Sequence, residues 1–350
     1  MTRPSNTHGK PRIGITAGDP AGIGPEIVLK AVRSDEVLGV CQPVIIAGDD
    51  HLRAQAEALG LTCDYPSADE SIYQLGEACA PPLIFDAGRI TEPILCSKVS
   101  AAAGRASMLF IEAGVRLCLD GLLDAIATAP INKGSLKLAG SPFRGHTEML
   151  AYLCGSPTSL MCFFAGKLRV VLLSTHVSLS EAIKLVSTER IVDAILLTEH
   201  ELKRFGEHRP RIAVAGLNPH AGEDGLFGSE ESLYIRPAIE ECIDEHGIDV
   251  QGPFPPDTIF ARAARGEFDV VIACYHDQGL IAVKTLGFGK AVNVTLGLPL
   301  IRTSVDHGTA FDIAGRGIAD PGSMIEAIVL AAALVQAQRS SRVNDRATTG

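Results

Sequence analysis

The chain has 350 residues, a formal net charge of −10 and 46% hydrophobic residues, a length that predicts about two domains of roughly 150 residues each. The acidic balance argues against a polyanion binder, and the lack of tryptophan leaves few stacking platforms for single-stranded nucleic acid, so we expect no nucleic acid partner. Nine cysteines without a C-x-x-C motif favour a reducing compartment, and the absence of a long apolar run or an N-terminal h-region predicts a cytoplasmic protein with no membrane partner.

Short apolar runs rich in β-branched residues alternate with amphipathic stretches along the chain. The runs are typical of buried parallel strands and fall, in chain order, at Ile13–Ala17, Val44–Ala47, Leu83–Phe85, Ala125–Ala129, Val170–Leu173, Ile212–Gly216, Val270–Cys274 and Ala291–Leu296. Helical periodicity between the runs predicts helices at Pro25–Arg33, Val99–Leu119, Thr147–Leu153, Glu189–Phe205, Glu230–Glu245 and Pro321–Gln338. The alternation predicts an α/β fold with mostly parallel sheets.

The chain shows no linker that would mark a domain boundary. We divide it into a first α/β domain, residues 12–140 plus 305–338, and a second, residues 141–304, with flexible polar tails at 1–11 and 339–350. Ligands of open α/β folds bind at the carboxyl ends of the strands, so we expect the active site in a cleft between the domains.

Histidines follow three of the predicted strands directly, in S-T-H, L-N-P-H-A-G-E and Y-H-D-Q-G. These residues, His176, His220 and His276, could converge on one metal ion with an open coordination position. For any one of these histidines alone, a surface or capping role is the favoured interpretation. Three at equivalent topological positions favour a metal site, for which Zn, Co, Mn or Ni would be suitable.

A second group of polar residues suits a small anion. Lys284, Asn293 and Arg302 lie within apolar or Gly-rich sequence, where a buried charge is costly without a partner. A solvated surface is the alternative for each lysine or arginine alone. The segment Gly18–Glu26, G-D-P-A-G-I-G-P-E, is compatible with an anion site at a helix N-terminus and equally with a structural turn.

Two aspartates are candidates for acid–base catalysis. Asp277 adjoins His276, and Asp257 lies in G-P-F-P-P-D-T, where a helix N-cap is the alternative role.

Taken together, the motifs resemble the 4-hydroxythreonine-4-phosphate dehydrogenase (PdxA) family and its paralogues over about residues 12–338. The segments that carry the resemblance are G-D-P-A-G-I-G-P-E, G-H-T-E, L-N-P-H-A-G-E, Y-H-D-Q-G-L with K-T-L-G-F-G, and V-N-V-T-L-G-L-P-L-I-R-T-S-V-D-H-G-T-A. The resemblance implies a homodimer of two-domain subunits similar to isocitrate and isopropylmalate dehydrogenases, with the metal, substrate and dimer contacts on the second domain. It implies a divalent metal, zinc before magnesium, cobalt or manganese, held by the three histidines from both subunits. It implies substrate contacts at His146, Thr147, Lys284, Asn293 and Arg302.

A further resemblance concerns the cofactor. Asp306–Pro321, D-H-G-T-A-F-D-I-A-G-R-G-I-A-D-P, is similar to the segment of isopropylmalate dehydrogenases that wraps the adenosine of NAD, although Phe311 stands where that segment has proline. It implies a dinucleotide on the first domain, with contacts at His307, Gly308, Thr309 and Asp312. Asp312 matches the aspartate that takes the ribose hydroxyls, which favours NAD over NADP.

The implied reaction is oxidation of the secondary alcohol of 4-phosphooxy-L-threonine. The resulting β-keto acid would lose carbon dioxide to give 3-amino-2-oxopropyl phosphate, a step of pyridoxal phosphate biosynthesis. Paralogues that oxidise 4-phospho-D-threonate or 4-phospho-D-erythronate are an alternative, and a terephthalate dihydrodiol dehydrogenase is less favoured because G-H-T-E is intact. From other classes, we consider a non-catalytic metal- or phosphate-binding protein and a phosphate acyl- or acetyltransferase.

Overall fold

The computed structural model describes residues 9–69, 82–287 and 289–348. The chain divides into two compact units, unit 1 with Met1–Thr158 and Leu298–Arg339, and unit 2 with Ser159–Gly297 and Ser340–Gly350. The domain boundaries given above stay a prediction.

Strands and helices alternate along the described residues. The strands are β1 (Arg12–Thr16), β2 (Gln42–Ala47), β3 (Ser67–Ala68), β4 (Leu83–Asp86), β5 (Ala125–Thr128), β6 (Leu160–Ala165), β7 (Leu168–Leu172), β8 (Ile212–Ala215), β9 (Val250–Phe254), β10 (Val270–Ala273), β11 (Val292–Leu296) and β12 (Ile301–Ser304). The helices are α1 (Gly24–Ala31), α2 (Asp35–Val40), α3 (Asp49–Ala58), α4 (Ala101–Leu119), α5 (Lys133–Leu138), α6 (His146–Leu153), α7 (Leu179–Lys184), α8 (Thr188–Arg204), α9 (Arg236–Asp244), α10 (Pro256–Ala264), α11 (His276–Leu286) and α12 (Gly322–Thr348).

Unit 1 has a parallel sheet with the strand order β3-β4-β2-β1-β5-β12. Its inner strands β1, β2 and β5 are mainly apolar and buried over most of their length, and Ile13, Ile15 and Ile45 are fully buried. A strand covered on both faces needs such a continuous apolar run. In this parallel sheet, β1, β5 and β12 end at the same edge, where the polar motifs of this unit follow.

Unit 2 has the strand order β11-β6-β7-β10-β8-β9. The strands β7, β10, β8 and β9 are parallel, whereas β6 runs antiparallel to both β7 and β11. Its core lies where α10 and α11 cover the sheet, with Val170, Ile259 and Val271 buried at its centre. The α/β fold with mostly parallel sheets is confirmed.

The C-terminal helix is longer than the sequence pattern predicts. We expected it to end at Gln338, ahead of a flexible tail, but the backbone of α12 is helical through Thr348. The segment 339–348 is polar yet contains neither glycine nor proline, so nothing in it interrupts a helix. The other predicted tail falls mainly on residues 1–8, which lie outside the described residues.

Two expectations from composition bear on the described residues. The eight cysteines among them are free thiols, Cys41, Cys63, Cys96, Cys118, Cys154, Cys162, Cys242 and Cys274. None of the helices in the described part of the chain has the length and apolar character needed to cross a membrane.

Candidate active site

Two of the three predicted metal-binding histidines line one cavity in unit 2. The strands β7 and β10 are parallel neighbours, so the residues after them leave the sheet at the same edge. The rings of His176 and His276 lie there with centroids 5.8 Å apart. The cavity has a volume of about 190 Å³ and is lined by Ser174, Thr175, His176, Val177, Leu179, Ala182, Tyr275, His276 and Asp277. Ser174, Thr175 and Tyr275 were not predicted, although all three stand inside the motifs that carry the histidines.

Asp277, predicted as a proton acceptor, contacts one of these histidines. Its Oδ1 lies 2.7 Å from Nδ1 of His276, and its side chain is largely exposed. A carboxylate at one ring nitrogen fixes the orientation of an imidazole and directs the other nitrogen, Nε2, outward as a ligand. Asp277 is therefore positioned to orient the imidazole ring of His276. The other candidate, Asp257, is exposed in the first turn of α10, two residues after the N-cap Pro255.

His220 lies on an unusual turn after β8. The residues His220 to Asp224 all have positive φ, between 42° and 81°, and Gly222 is the glycine among them. A left-handed backbone costs roughly 1–2 kcal/mol for each non-glycine residue. The ring of His220 packs against Phe227 with centroids 6.0 Å apart. The sequence placed His220 after a strand correctly but gave no sign of this strained turn.

The side chains around the cavity of unit 2 provide some, but not all, of the ligands that a divalent cation needs. Two imidazoles face one cavity, and one of them is oriented through its Nδ1 by a carboxylate. Within the described residues, no group of three or more His, Cys, Asp or Glu side chains is arranged to hold an ion. The structure thus brings His176 and His276 together and does not bring His220 to them, and the three-histidine set stays a prediction.

Arg302 and His146, two of the predicted substrate contacts, both lie in unit 1, where the charge of Arg302 acts on His146. Arg302 in β12 is 2% exposed, and its Nε and Nη2 donate to Oγ1 of Thr128 in the neighbouring β5, at 3.2 and 2.8 Å. Burial lowers the pKa of Arg302 to about 9. His146 begins α6, and its buried Nε2 has no hydrogen-bond partner among the described residues. Burial and then the charge of Arg302 lower the pKa of His146 well below its ordinary value.

The remaining predicted substrate contacts lie on α6, α11 and β11. Thr147 follows His146 in α6, and Lys284 lies exposed on α11. Asn293 in β11 has a buried Oδ1 without a hydrogen-bond partner in the described part of the chain. A buried amide oxygen in this state suits an incoming donor group. The roles of these residues toward a substrate stay predictions.

The predicted cofactor segment, Asp306–Pro321, packs against the Gly-rich loop of unit 1, Gly18–Glu26. Ile23 N donates to Thr309 O at 3.0 Å, and a Cβ on Gly22 would lie 2.9 Å from Thr309, so glycine alone fits there. Ser97 Oγ donates to Phe311 O at 2.5 Å. Thr309 is buried, whereas His307, Gly308 and Asp312 are exposed. Both segments are therefore held together, although their contacts to a dinucleotide stay predictions.

Comparisons with known proteins identify the family of the chain. The family model described as "Pyridoxal phosphate biosynthetic protein PdxA" matches residues 39–331. A 4-hydroxythreonine-4-phosphate dehydrogenase of Desulforapulum autotrophicum is 45% identical, over 97% of this chain and 99% of that protein. A D-threonate 4-phosphate dehydrogenase of Cupriavidus necator is 47% identical, over 91% of this chain and 95% of that protein.

Solved structures extend the similarity to the backbone. A 4-hydroxythreonine-4-phosphate dehydrogenase of Klebsiella pneumoniae superposes with a TM-score of 0.85 at 41% identity, covering 93% of this chain and 100% of that one. A terephthalate 1,2-cis-dihydrodiol dehydrogenase of Burkholderia xenovorans gives a TM-score of 0.66 at 27% identity, covering 93% and 98%. Because sequence and backbone match over nearly their whole length, the chain belongs to the PdxA family of pyridoxal phosphate biosynthetic proteins.

Proposed function

We propose that this chain is a dehydrogenase that oxidises the secondary alcohol of a small phosphorylated hydroxy acid, with NAD as the hydride acceptor and a divalent metal, zinc in the first place, as cofactor. The observation that carries the proposal is the 45% and 47% identity, over more than nine tenths of the chain, to relatives named as dehydrogenases of such acids. A non-catalytic binder and an acyl- or acetyltransferase are disfavoured by the same relatives.

The residues of unit 1 are suited to hold the anionic part of a substrate. Arg302 presents a guanidinium in a buried environment, where its attraction to a phosphate or carboxylate is weakly screened. His146, whose pKa burial and the charge of Arg302 lower, is neutral at physiological pH, so its Nε2 can share a hydrogen bond without adding charge. Thr147, Lys284 and Asn293 are the further proposed contacts.

The histidines of unit 2 are suited to hold the metal. His176 and His276 would bind it through imidazole nitrogens, together with His220. When bound, a divalent ion would supply Lewis-acid stabilisation of negative charge on oxygen. Asp277 orients His276 through Nδ1, and Asp277 and Asp257 are the proposed proton acceptors.

The exposed residues of the segment after β12 are the proposed contacts of the dinucleotide. His307, Gly308 and Asp312 are accessible to a ligand, and Thr309 anchors the segment to the Gly-rich loop. A carboxylate at position 312 would repel a 2′-phosphate, which favours NAD over NADP.

Two substrates are proposed, in order. The first is 4-hydroxythreonine 4-phosphate, whose β-keto acid product would decarboxylate to 3-amino-2-oxopropyl phosphate. The second is D-threonate 4-phosphate, favoured by the 47% identity to the Cupriavidus necator enzyme. The two acids differ at one substituent, an amine or a hydroxyl, and share the phosphate and the oxidised alcohol.

A substrate panel tests the proposal. The purified protein, supplied with Zn²⁺, Co²⁺, Mn²⁺ or Mg²⁺ in turn, is assayed for NADH or NADPH absorbance with 4-phosphooxy-L-threonine, 4-phospho-D-threonate and 4-phospho-D-erythronate. We expect NADH formation, highest kcat/KM with 4-phosphooxy-L-threonine, and its loss in Arg302→Met. A higher kcat/KM with 4-phospho-D-threonate would establish the second substrate, and no reduced cofactor with any combination would refute the proposal.

A further inference from the structure

A buried chain of hydrogen bonds joins three strand ends of unit 2, those that precede His176, His276 and His220. Ser174 Oγ, after β7, donates to the carbonyl of Cys274, after β10, at 3.1 Å. Cys274 N donates to Oε1 of Gln278 at 2.7 Å, and Nε2 of Gln278 donates to the carbonyl of Gly216, after β8, at 2.8 Å. Ser174, Cys274 and Gln278 are all buried. Side chains therefore link these ends to one another.

Gln278 continues the connection between β10 and β8 beyond the last paired residues of their ladder. That ladder pairs Ile272 with Val214, and Gly216 and Cys274 lie two residues further along each strand. A glutamine amide matches this gap, because one end accepts from a backbone N–H and the other donates to a backbone carbonyl. Cys274 Sγ also donates to the carbonyl of Ala215 at 3.4 Å, so Gln278 and Cys274 together connect the two ends, and Gln278 makes the shorter hydrogen bonds.

Glu231 extends the network into the strained turn that carries His220. Its Oε1 accepts from the backbone N of Asn218 at 2.7 Å, and its Oε2 accepts from Nδ2 of Asn218 at 3.0 Å. Glu231 is 3% exposed, and a Cβ on Gly222 would lie 2.7 Å from its Oε2. The carboxylate therefore holds the start of the turn and packs against its middle.

Such a turn requires support from its surroundings. Left-handed backbone at successive non-glycine residues persists when neighbouring structure overdetermines it, and such strain is concentrated at functional sites. The support here comes from a buried carboxylate, which is costly to desolvate and which an apolar core would not need. Burying these polar groups costs free energy, and packing alone does not explain why they lie at the strand ends that precede the three histidines.

We propose that Gln278 and Glu231 are positioning residues for metal binding, Gln278 by spacing the strand ends of His276 and His220 and Glu231 by holding the turn of His220. They touch neither metal nor substrate and act through the backbone that carries the ligands. This inference rests on the metal site of the proposed function.

The test is a Co²⁺ titration of the full-length protein, followed by visible absorption, which reports the ligand geometry independently of turnover. The variants are Gln278→Met, which loses both hydrogen bonds at similar length, and Glu231→Gln, whose amide cannot accept from both donors of Asn218. The control is Thr198→Val, which removes a fully buried hydroxyl of unit 2 that has no hydrogen-bond partner among the described residues. Far-UV circular dichroism verifies the fold of each variant.

We expect both variants to fold, to bind Co²⁺ about tenfold or more weakly and to show an altered absorption spectrum, while the control retains affinity and spectrum. Unchanged Co²⁺ affinity and spectrum in both variants would overturn the inference, as would an equal loss in Thr198→Val. If one variant does not fold, the Co²⁺ affinity and spectrum of the other variant decide between the two results. If neither variant folds, the network serves the stability of the fold alone and the inference is overturned. If the unmodified protein binds no Co²⁺, the metal site of the proposed function fails instead.

Discussion

At the scale of single residues, the buried Arg302 is costly to the stability of the fold. A guanidinium in the middle of a core strand is unfavourable, and the lowering of its pKa to about 9 reflects that cost. The sequence predicted a functional role for Arg302, since L-I-R-T-S surrounds the charge with apolar residues, and that role stays a prediction. It did not reveal Thr128 as the partner, because that contact forms between strands far apart in the chain.

The depressed pKa of His146 predicts a dependence of stability on pH. The unfolded chain protonates this imidazole below about pH 6.5, but the folded protein keeps it neutral, so the folded state loses stability as the pH falls below that value. Between pH 7.5 and pH 5.5 we expect this residue to lower the free energy of unfolding by about 1 kcal/mol. Urea unfolding at both pH values should show that His146→Gln removes this loss.

The control for that comparison is the exposed His246→Gln, which should retain the pH dependence of the unmodified protein. Other titrating groups, including the half-buried His51, are present in all three proteins, so their contributions cancel. Equal pH dependence in His146→Gln and the unmodified protein would contradict the assignment.

At the scale of elements, α1 fastens the end of the proposed cofactor segment. Glu26, 2% exposed, accepts from Ala319 N at 2.8 Å and pairs with Lys30 at 2.7 Å. Lys30 Nζ also donates to the carbonyls of Gly317 and Ala319, at 3.0 and 2.8 Å. One ion pair on one helix turn therefore holds three backbone groups of this segment.

Loss of the ion pair between Glu26 and Lys30 should weaken dinucleotide binding. In Lys30→Met, Glu26 stays buried without its cation, so we expect the free energy of unfolding to fall by about 1.5–3 kcal/mol and calorimetric NAD affinity to drop. The matched control is Lys203→Met, which breaks the Glu199–Lys203 pair of the same spacing on α8 and should leave NAD affinity unchanged. Unaltered NAD affinity in Lys30→Met would show that the segment does not contact the dinucleotide.

Most strands could be predicted, and the exceptions have physical causes. Each of the eight predicted apolar runs overlaps a strand, because burial on both faces is visible in a sequence. The run in β6 was missed since short apolar stretches do not separate strand from buried helix. The helix α11 was missed because Gly279 lowers its propensity. A Cβ there would lie 2.7 Å from Leu172, a close approach that appears only in three dimensions.

At the scale of the whole molecule, unit 2 exposes two groups of apolar side chains. They are Val177, Leu179 and Ile183 near the histidine cavity, and Leu226, Phe227, Leu233 and Tyr234 around the turn of His220. Exposed apolar side chains in such number are typical of protein interfaces. They support the predicted homodimer. A partner subunit would also account for the separation of His220 from His176 and His276, a relation that one sequence cannot reveal.

A charged substitution in this surface should separate the subunits. Leu226 is 71% exposed, so Leu226→Glu should leave the fold intact and convert a dimer to a monomer in light scattering at low concentration. We expect metal content to fall with it, because the metal site is shared in the proposed dimer. The control is Leu138→Glu, at a comparably exposed leucine of unit 1. A monomeric unmodified protein, or full metal content in monomeric Leu226→Glu, would contradict the proposal.

The left-handed turn at His220–Asp224 also restricts how this protein can vary. At these positions with positive φ, residues that favour strands or right-handed helices add backbone strain. Glycine, asparagine and aspartate are the residues that this backbone tolerates best. β-Branched replacements at Ala221 or Glu223 would be penalised by the backbone itself, whatever their chemistry. Engineering of the proposed metal site is therefore better directed at the residues around Tyr275 than at the neighbours of His220.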